Sequence, residues 1–386
     1  MALIDDTKAI LGDLIAFPTV SSDSNLELIA YAAEKLGALD ARIMMSLDPT
    51  GHKANIFASL GPEEDGGIVL SGHSDVVPVE GQDWTSDPFA MREEDGLLYG
   101  RGACDMKGYI AAALAMAPRY AELDLKRPVH FAFTYDEETG CLGAAHLVEE
   151  LARHEMHPSV AIIGEPTEMR IIEGHKGCYE YTTTFTGLEG HGSMPDAGVN
   201  AVEYAVRYIT RLMELRTELQ AMAPANSRFT PPWTTLQVGR MVGGVARNII
   251  AGNCAVEWEM RPVQRSDADH VKHHMKAYCD DVLLPAMRAV DAEADIVTTV
   301  IAEVGELEPA DDNEARRIVS ELTGANGADV VSFGTEGGLF QDYGMSVVVC
   351  GPGSIEQAHK PDEFVSVSQL ESCLKMLTGL ERKLTA

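Results

Sequence analysis

The chain has 386 residues, 45% of them apolar, with sixty Asp and Glu against thirty Lys and Arg and a formal charge of -30. That length exceeds the size at which single cores stop growing and predicts two domains. The acidic surplus opposes nucleic acid and anionic membrane as partners, favours solubility, and would attract a cationic ligand.

Apolar residues at helical spacing, Ile4, Ile10, Leu11, Leu14 and Ile15, predict a first helix reaching Phe17, and a second pattern runs from Leu26 to Leu39. The run Gly67 to Leu70 predicts a short buried strand stopped by Ser71 and Gly72, with His73 and Asp75 immediately after it. Residues i and i+2 of an extended segment face one side, so the Asp75 carboxylate can approach the His73 ring and fix its tautomer. Helix-period stretches at 107–121 and 142–153 alternate with buried strands at 129–135 and 160–163. That alternation predicts an α/β domain with a mainly parallel sheet.

After Gly177 the texture changes. Strands at 179–186, 234–241 and 254–261, with helices at 200–222 and at 266–289 opened by Ser266 and Asp267, predict a smaller α+β insert on one antiparallel sheet. From Ile296 the α/β texture resumes, with a strand at 346–350 and a closing helix that Ser366 caps, Gln369 standing three residues on. The expected division is 1–178, 179–291 and 292–386, the large domain being discontinuous. The seven cysteines are scattered, odd in number and never spaced as Cys-x-x-Cys, which fits reduced thiols in a cytoplasm. Acids stand where a signal peptide carries basic residues, and no apolar run approaches about 18 residues, so a soluble intracellular protein is expected.

Strand ends collect the chemistry, as they do in open α/β sheets. Beyond His73, Asp105 sits in the Gly-rich segment Tyr99–Gly108, Asp136, Glu137 and Glu138 follow the strand at 129–135, Glu165 follows 160–163, and His359 follows 346–350. Each taken singly also fits a helix cap, a solvated turn or a surface loop. Together, two histidines and three carboxylates without thiolates suit a pair of divalent ions, zinc or cobalt. If Asp105 bridges, His73 with Glu165 completes one site and His359 with Glu138 the other. Glu137 then remains as the general base for a hydrolytic water.

The segments Ser71–Asp75, Gly102–Gly108, Asp136–Gly140 and Gly164–Thr167, with the late His359, resemble the metallopeptidase family that includes acetylornithine deacetylase, succinyl-diaminopimelate desuccinylase, the aminoacylases and the glutamate carboxypeptidases. The resemblance spans essentially the whole chain. It implies a zinc-peptidase-like catalytic domain with His73, Asp105, Glu138, Glu165 and His359 as ligands, Asp75 behind His73, Glu137 as base, and a smaller lid domain that often dimerises. Gly190–Pro195 is similar to the family's lid motif, which implies that His191 donates to the developing oxyanion. Asn248 and Arg261 fall where relatives grip a substrate carboxylate, although Arg261 can instead pair with an acid of its own domain.

Among the branches, Phe333–Gly338 and Cys350–Phe364 look most like acetylornithine deacetylase, which implies removal of acetate from N2-acetyl-L-ornithine in arginine biosynthesis. Glu336 would then meet the cationic side chain, or cap a short helix at 337–341. Bulkier residues often follow this Glu in relatives. The same chemistry on succinyl-diaminopimelate, acetylcitrulline or a general acyl-amino acid, a dipeptidase or carboxypeptidase activity, and a noncatalytic metal-binding role stay open from sequence.

Overall fold

The computed structural model describes residues 2–386. Two compact units emerge, the first built from the described residues up to 174 with 309–330 and 335–386, the second from 175–308 with 331–334.

Among the described residues, an eight-stranded sheet runs Arg42–Leu47, Ala54–Leu60, Val129–Thr134, Ile68–His73, Val160–Pro166, Ser346–Gly351, Ile172–His175, Asp329–Val331 in spatial order. The strand Ile68–His73 pairs parallel with Val129–Thr134 on one side and Val160–Pro166 on the other, and Ser346–Gly351 continues the parallel set. These strands are buried almost throughout, which is why they read as apolar runs rather than as alternations. The helix Lys107–Ala121 is buried nearly all round and packs against the helices Leu3–Ile15 and Val367–Leu384. Its small residues, from Gly108 through Ala111, Ala112 and Ala113, permit that close approach. Ser366 does cap the closing helix, its hydroxyl accepting from the Gln369 N–H at 3.2 Å.

The strand at His73 is longer than expected. Ser71, Gly72 and His73 stay in the ladder opposite Ala132, Phe133 and Thr134. Gly72 marks a close approach and not a turn, because a Cβ there would lie 2.9 Å from the Met106 methyl. Likewise the strand expected to stop at Ile163 runs to Pro166, and a Cβ on Gly164 would fall 1.9 Å from the Tyr109 ring. The two metal-competent side chains are thus carried on strand backbone at its C-terminal edge.

In the second unit the sheet order is Thr235–Gly243, Asn253–Arg261, Cys178–Thr186, Asp295–Val304, with antiparallel pairing throughout. Alternate burial along Cys178–Thr186 and Asn253–Arg261 turns one face toward the helices Ala201–Ala221 and Arg265–Tyr278. Tyr181 stacks on Trp258 at 4.5 Å, and Tyr208 meets Phe185 edge-on at 5.5 Å. The segment from residue 292, expected to return to the large domain, instead supplies the fourth strand of this sheet, since Asp295–Val304 pairs along the full length of Cys178–Thr186. The helix expected at 266–289 starts one residue earlier, at Arg265, and passes through a π-helical stretch, Cys279–Leu283, before Leu284–Arg288. No helix among the described residues is long and apolar enough to cross a membrane.

Candidate metal centre

His73 is almost fully buried at the end of its strand. Its Nδ1 lies 2.9 Å from the main-chain carbonyl of Asp75, an acceptor only, so Nδ1 carries a proton and Nε2 is the ring atom turned into the cluster. That Nε2 stands 3.0 Å from Asp105 Oδ1 and 3.7 Å from Glu165 Oε1. The tautomer is therefore set by the Asp75 backbone. The Asp75 carboxylate, expected to do this, is 3.6 Å from the ring and accepts instead from Ser21 Oγ at 2.7 Å and from the N–H groups of Glu137 and Glu138 at 3.0 and 3.3 Å.

Asp105 offers one oxygen to each histidine: Oδ1 to His73, and Oδ2 to His359 Nε2 at 3.5 Å. Glu138 completes that second corner, 3.1 Å from His359 Nε2. Ligand atoms of His73, Asp105 and Glu138 lie within 4.8 Å of one another, as do those of His73, Glu137 and Glu165. The turn carrying Glu137 and Glu138 enters through Asp136 at φ 53°, and Lys53 ion-pairs with Asp136 to hold it. Lys53 and Ser21 both escape a reading of motifs, because they belong to none and act across long sequence separations.

Electrostatically the cluster has a surplus of negative charge: four carboxylates face two imidazoles. Burial would raise the Asp105 carboxyl, but hydrogen bonds from His359 and His73 outweigh it and hold it below its ordinary value. Burial and the neighbouring Asp105 push Glu165 well above the carboxylate range. Its Oε1 finds no hydrogen-bond donor among the described residues, a buried acceptor turned toward the same space as His73 Nε2. Burial, opposed by His73 and assisted by Glu138 and Asp105, pushes Glu137 up to about 8. A donor set of imidazole and carboxylate with an orphaned buried oxygen fits divalent cations such as zinc.

Glu336, expected to meet a cationic side chain, is withdrawn from the surface. It is 1% exposed, and its carboxylate accepts from the hydroxyls of Ser71 and of Thr134, the latter at 2.9 Å, within the sheet beneath the His73 strand end. A short helix, Gly337–Asp342, does follow it, without a capping bond from its side chain.

Within the second unit, His191 and Asn248 are neighbours: Gly190–His191 pairs with Ile249–Ile250, and the Gly192 N–H donates to the Asn248 carbonyl at 2.8 Å. The Ser193 N–H donates to His191 Nδ1 at 3.2 Å, which places the ring proton on Nε2 as a potential donor. Arg261 takes the alternative anticipated for it, its Nε and Nη2 both reaching Glu259 Oε2, at 3.2 and 2.9 Å.

The family model of peptidase family M20/M25/M40 matches residues 69–382. The chain belongs to this family. As an M20 member it is a hydrolase. It is 34% identical over 380 residues to the acetylornithine deacetylase of Yersinia pestis, covering 95% of this chain and 94% of that one, and 36% identical over 375 residues to that of Myxococcus xanthus, covering 96% and 95%. Among solved structures, an aminopeptidase from Bacillus cereus matches at TM-score 0.72 with 18% identity over 99% of both chains. A metallo-carboxypeptidase from Sulfolobus solfataricus matches at 0.71 with 17% identity over 99% of both. A Bacillus subtilis M20 protein described as a dinuclear metal-binding peptidase matches at 0.66, again with 17% identity and 99% of both chains.

Proposed function

We propose that this M20 hydrolase removes the acetyl group from N2-acetyl-L-ornithine, with His73, Glu165 and Asp105 holding one divalent ion and His359, Glu138 and Asp105 the other. The observation that carries the two-ion reading is the Asp105 carboxylate, which turns one oxygen to each histidine. Zinc is the ion this donor set suits best, with cobalt as a substitute. When bound, such ions lower the pKa of water and polarise the scissile carbonyl.

The protein's own part begins with Glu137. Among the described residues its carboxylate makes no ion pair, and it accepts a hydrogen bond from Cys141 Sγ at 3.5 Å. A carboxyl raised by burial can take a proton near neutral pH and return it, which is the work of removing it from the attacking water and delivering it to the leaving amine. Cleavage of the amide C–N bond then yields acetate and ornithine. Asp75 fixes the turn on which Glu137 sits, through the two N–H groups it accepts. His191, with its proton on Nε2, is assigned to the oxyanion that develops on the carbonyl, and Asn248 beside it to the substrate carboxylate. Arg261 keeps that second role only by leaving Glu259.

The substrate assignment rests on the acetylornithine deacetylase relatives along nearly the whole chain, not on Glu336, whose carboxylate is engaged within the sheet. The test is acetate release by zinc- or cobalt-loaded protein from acetylornithine set beside acetylmethionine, acetylcitrulline, succinyl-diaminopimelate and a dipeptide. Acetylornithine is expected to lead in kcat/KM by about tenfold or more. Equal values across the acyl-amino acids would overturn the narrow assignment, and dipeptide cleavage without acetate release would replace it. Glu137→Ala in the same assay should retain metal and lose turnover by at least about 100-fold.

A further inference from the structure

Asp105 and His359 leave the sheet on separate irregular segments, 100–106 and 352–363. Such segments keep a ligand geometry only when their own backbone is tied down. Here the tie is Glu363. Its carboxylate, 1% exposed, accepts at Oε1 from the N–H groups of Cys104 and Asp105, at 2.9 and 3.0 Å. At Oε2 it accepts from the Gly102 N–H at 3.1 Å and from Arg101 Nη1 at 2.8 Å. Three of these four bonds end on the main chain that carries Asp105.

Glu363 itself stands at the end of the second segment, so these bonds already join the two, and a further link leads back to His359. Arg101, also 1% exposed, donates from its second amino group to Gln82 Oε1 and lies over the Trp84 indole at 5.0 Å. Gln82 donates through Nε2 to the main-chain carbonyl of His359 at 2.9 Å. A continuous path therefore runs from the Asp105 N–H through Glu363, Arg101 and Gln82 to the His359 carbonyl.

We propose that Glu363, Arg101 and Gln82 are positioning residues that set the spacing between Asp105 and His359, so that both reach the same ion. The inference rests on the assignment of these two residues as ligands. A buried Arg–carboxylate pair can equally be a neutral element of a core, since desolvation offsets its attraction. What distinguishes this pair is where its remaining bonds go: to the backbone of one ligand's loop and, through Gln82, to the backbone of the other. Groups that orient ligands in this way change metal affinity by about 10–100-fold when removed.

Calorimetric titration of the metal-free protein with zinc tests the proposal, with apoprotein Tm and kcat read alongside. Gln82→Ala alters a half-buried loop residue that meets the His359 backbone directly and the Asp105 segment only through Arg101. It should weaken one of two binding steps by about tenfold and leave the other step and the apoprotein Tm unchanged. Glu363→Gln, which turns an N–H2 toward groups that are themselves donors, should weaken both steps, because Asp105 is shared, and lower kcat more than it raises KM. Glu363→Asp, keeping the charge, should recover part of that affinity. If Glu363→Gln does not fold, Gln82→Ala and Arg101→Lys decide the matter. Wild-type affinity and kcat in both, or an equal weakening of both steps by Gln82→Ala, would overturn the proposal. Asp105→Asn run beside them separates the two claims. Loss of zinc there, with wild-type binding in the positioning variants, removes the positioning network alone; unchanged zinc binding in Asp105→Asn removes the ligand assignment and the network with it.

Discussion

The carboxylate of Asp75 accepts three hydrogen bonds from Ser21 and the turn at Glu137 and Glu138, and stands 3.6 Å from the ring it was expected to orient. Two come from the N–H groups of Glu137 and Glu138, so its removal leaves buried donors of that turn unpaired while the His73 Nδ1–H keeps the Asp75 carbonyl. Asp75→Ala should therefore lower kcat by about 100-fold through misplacement of Glu137, yet weaken zinc by only about tenfold. Calorimetry and steady-state kinetics on one preparation check this, and a variant with normal kcat once loaded but a large loss of metal affinity would return Asp75 to the ring. At this scale the candidate ligands were legible as a group because each follows an apolar run and all share one chemistry. The partners of those residues were not. Lys53 with Asp136, Ser21 with Asp75, and Ser71 and Thr134 with Glu336 join positions that no periodicity relates, and Glu336 in particular reads as an exposed Gly-rich loop residue until the sheet closes over it.

At the scale of elements, buried parallel strands and amphipathic helices declared themselves by pattern, and their ends did not. Gly72 looks like a stop signal in sequence, whereas in the sheet it and Gly164 make room for Met106 and Tyr109 at the start of the covering helix. Asp295–Val304 was assigned to the large domain because an edge strand with mixed polarity carries no label for the sheet it joins. The antiparallel pair Ala54–Leu60 and Val129–Thr134 yields a prediction of its own. His130 stands opposite Ser59, whose hydroxyl meets its Nδ1 at 2.7 Å, and stacks on Phe57 at 4.8 Å. Burial, with Arg42 and Arg127 nearby, lowers its pKa from 6.5 to about 3. The unfolded chain therefore binds a proton near pH 6.5 that the folded protein refuses, so the stability this residue contributes is full above pH 6.5 and is lost as pH falls toward 3. Between pH 7 and 5 that loss is about 2 kcal/mol. Thermal melts should show a smaller drop in Tm over this interval for His130→Asn than for the wild type; equal drops would place the titrating group elsewhere.

For the whole molecule, the -30 charge and the outer edge of the second unit's sheet act against each other. Asp295–Val304 pairs on one side only among the described residues, and Val297, Val300 and Ile301 on it are each more than half exposed. An edge ten residues long with apolar side chains is a template for pairing with another chain unless something covers it. A second copy related by a twofold axis would pair this strand antiparallel to itself and close the interface on itself. Because each copy carries the same large negative charge, the association must overcome a repulsion that salt screens. Sedimentation equilibrium should therefore give a dimer of the 41.7 kDa chain whose dissociation constant falls as ionic strength rises from 20 to about 300 mM, where the Debye length drops below about 10 Å. Val300→Lys, which places a charge on the edge without touching either core, should give a monomer at all salt concentrations with unchanged zinc content. A wild-type monomer throughout, or a dimer indifferent to Val300→Lys, would move the interface away from this strand.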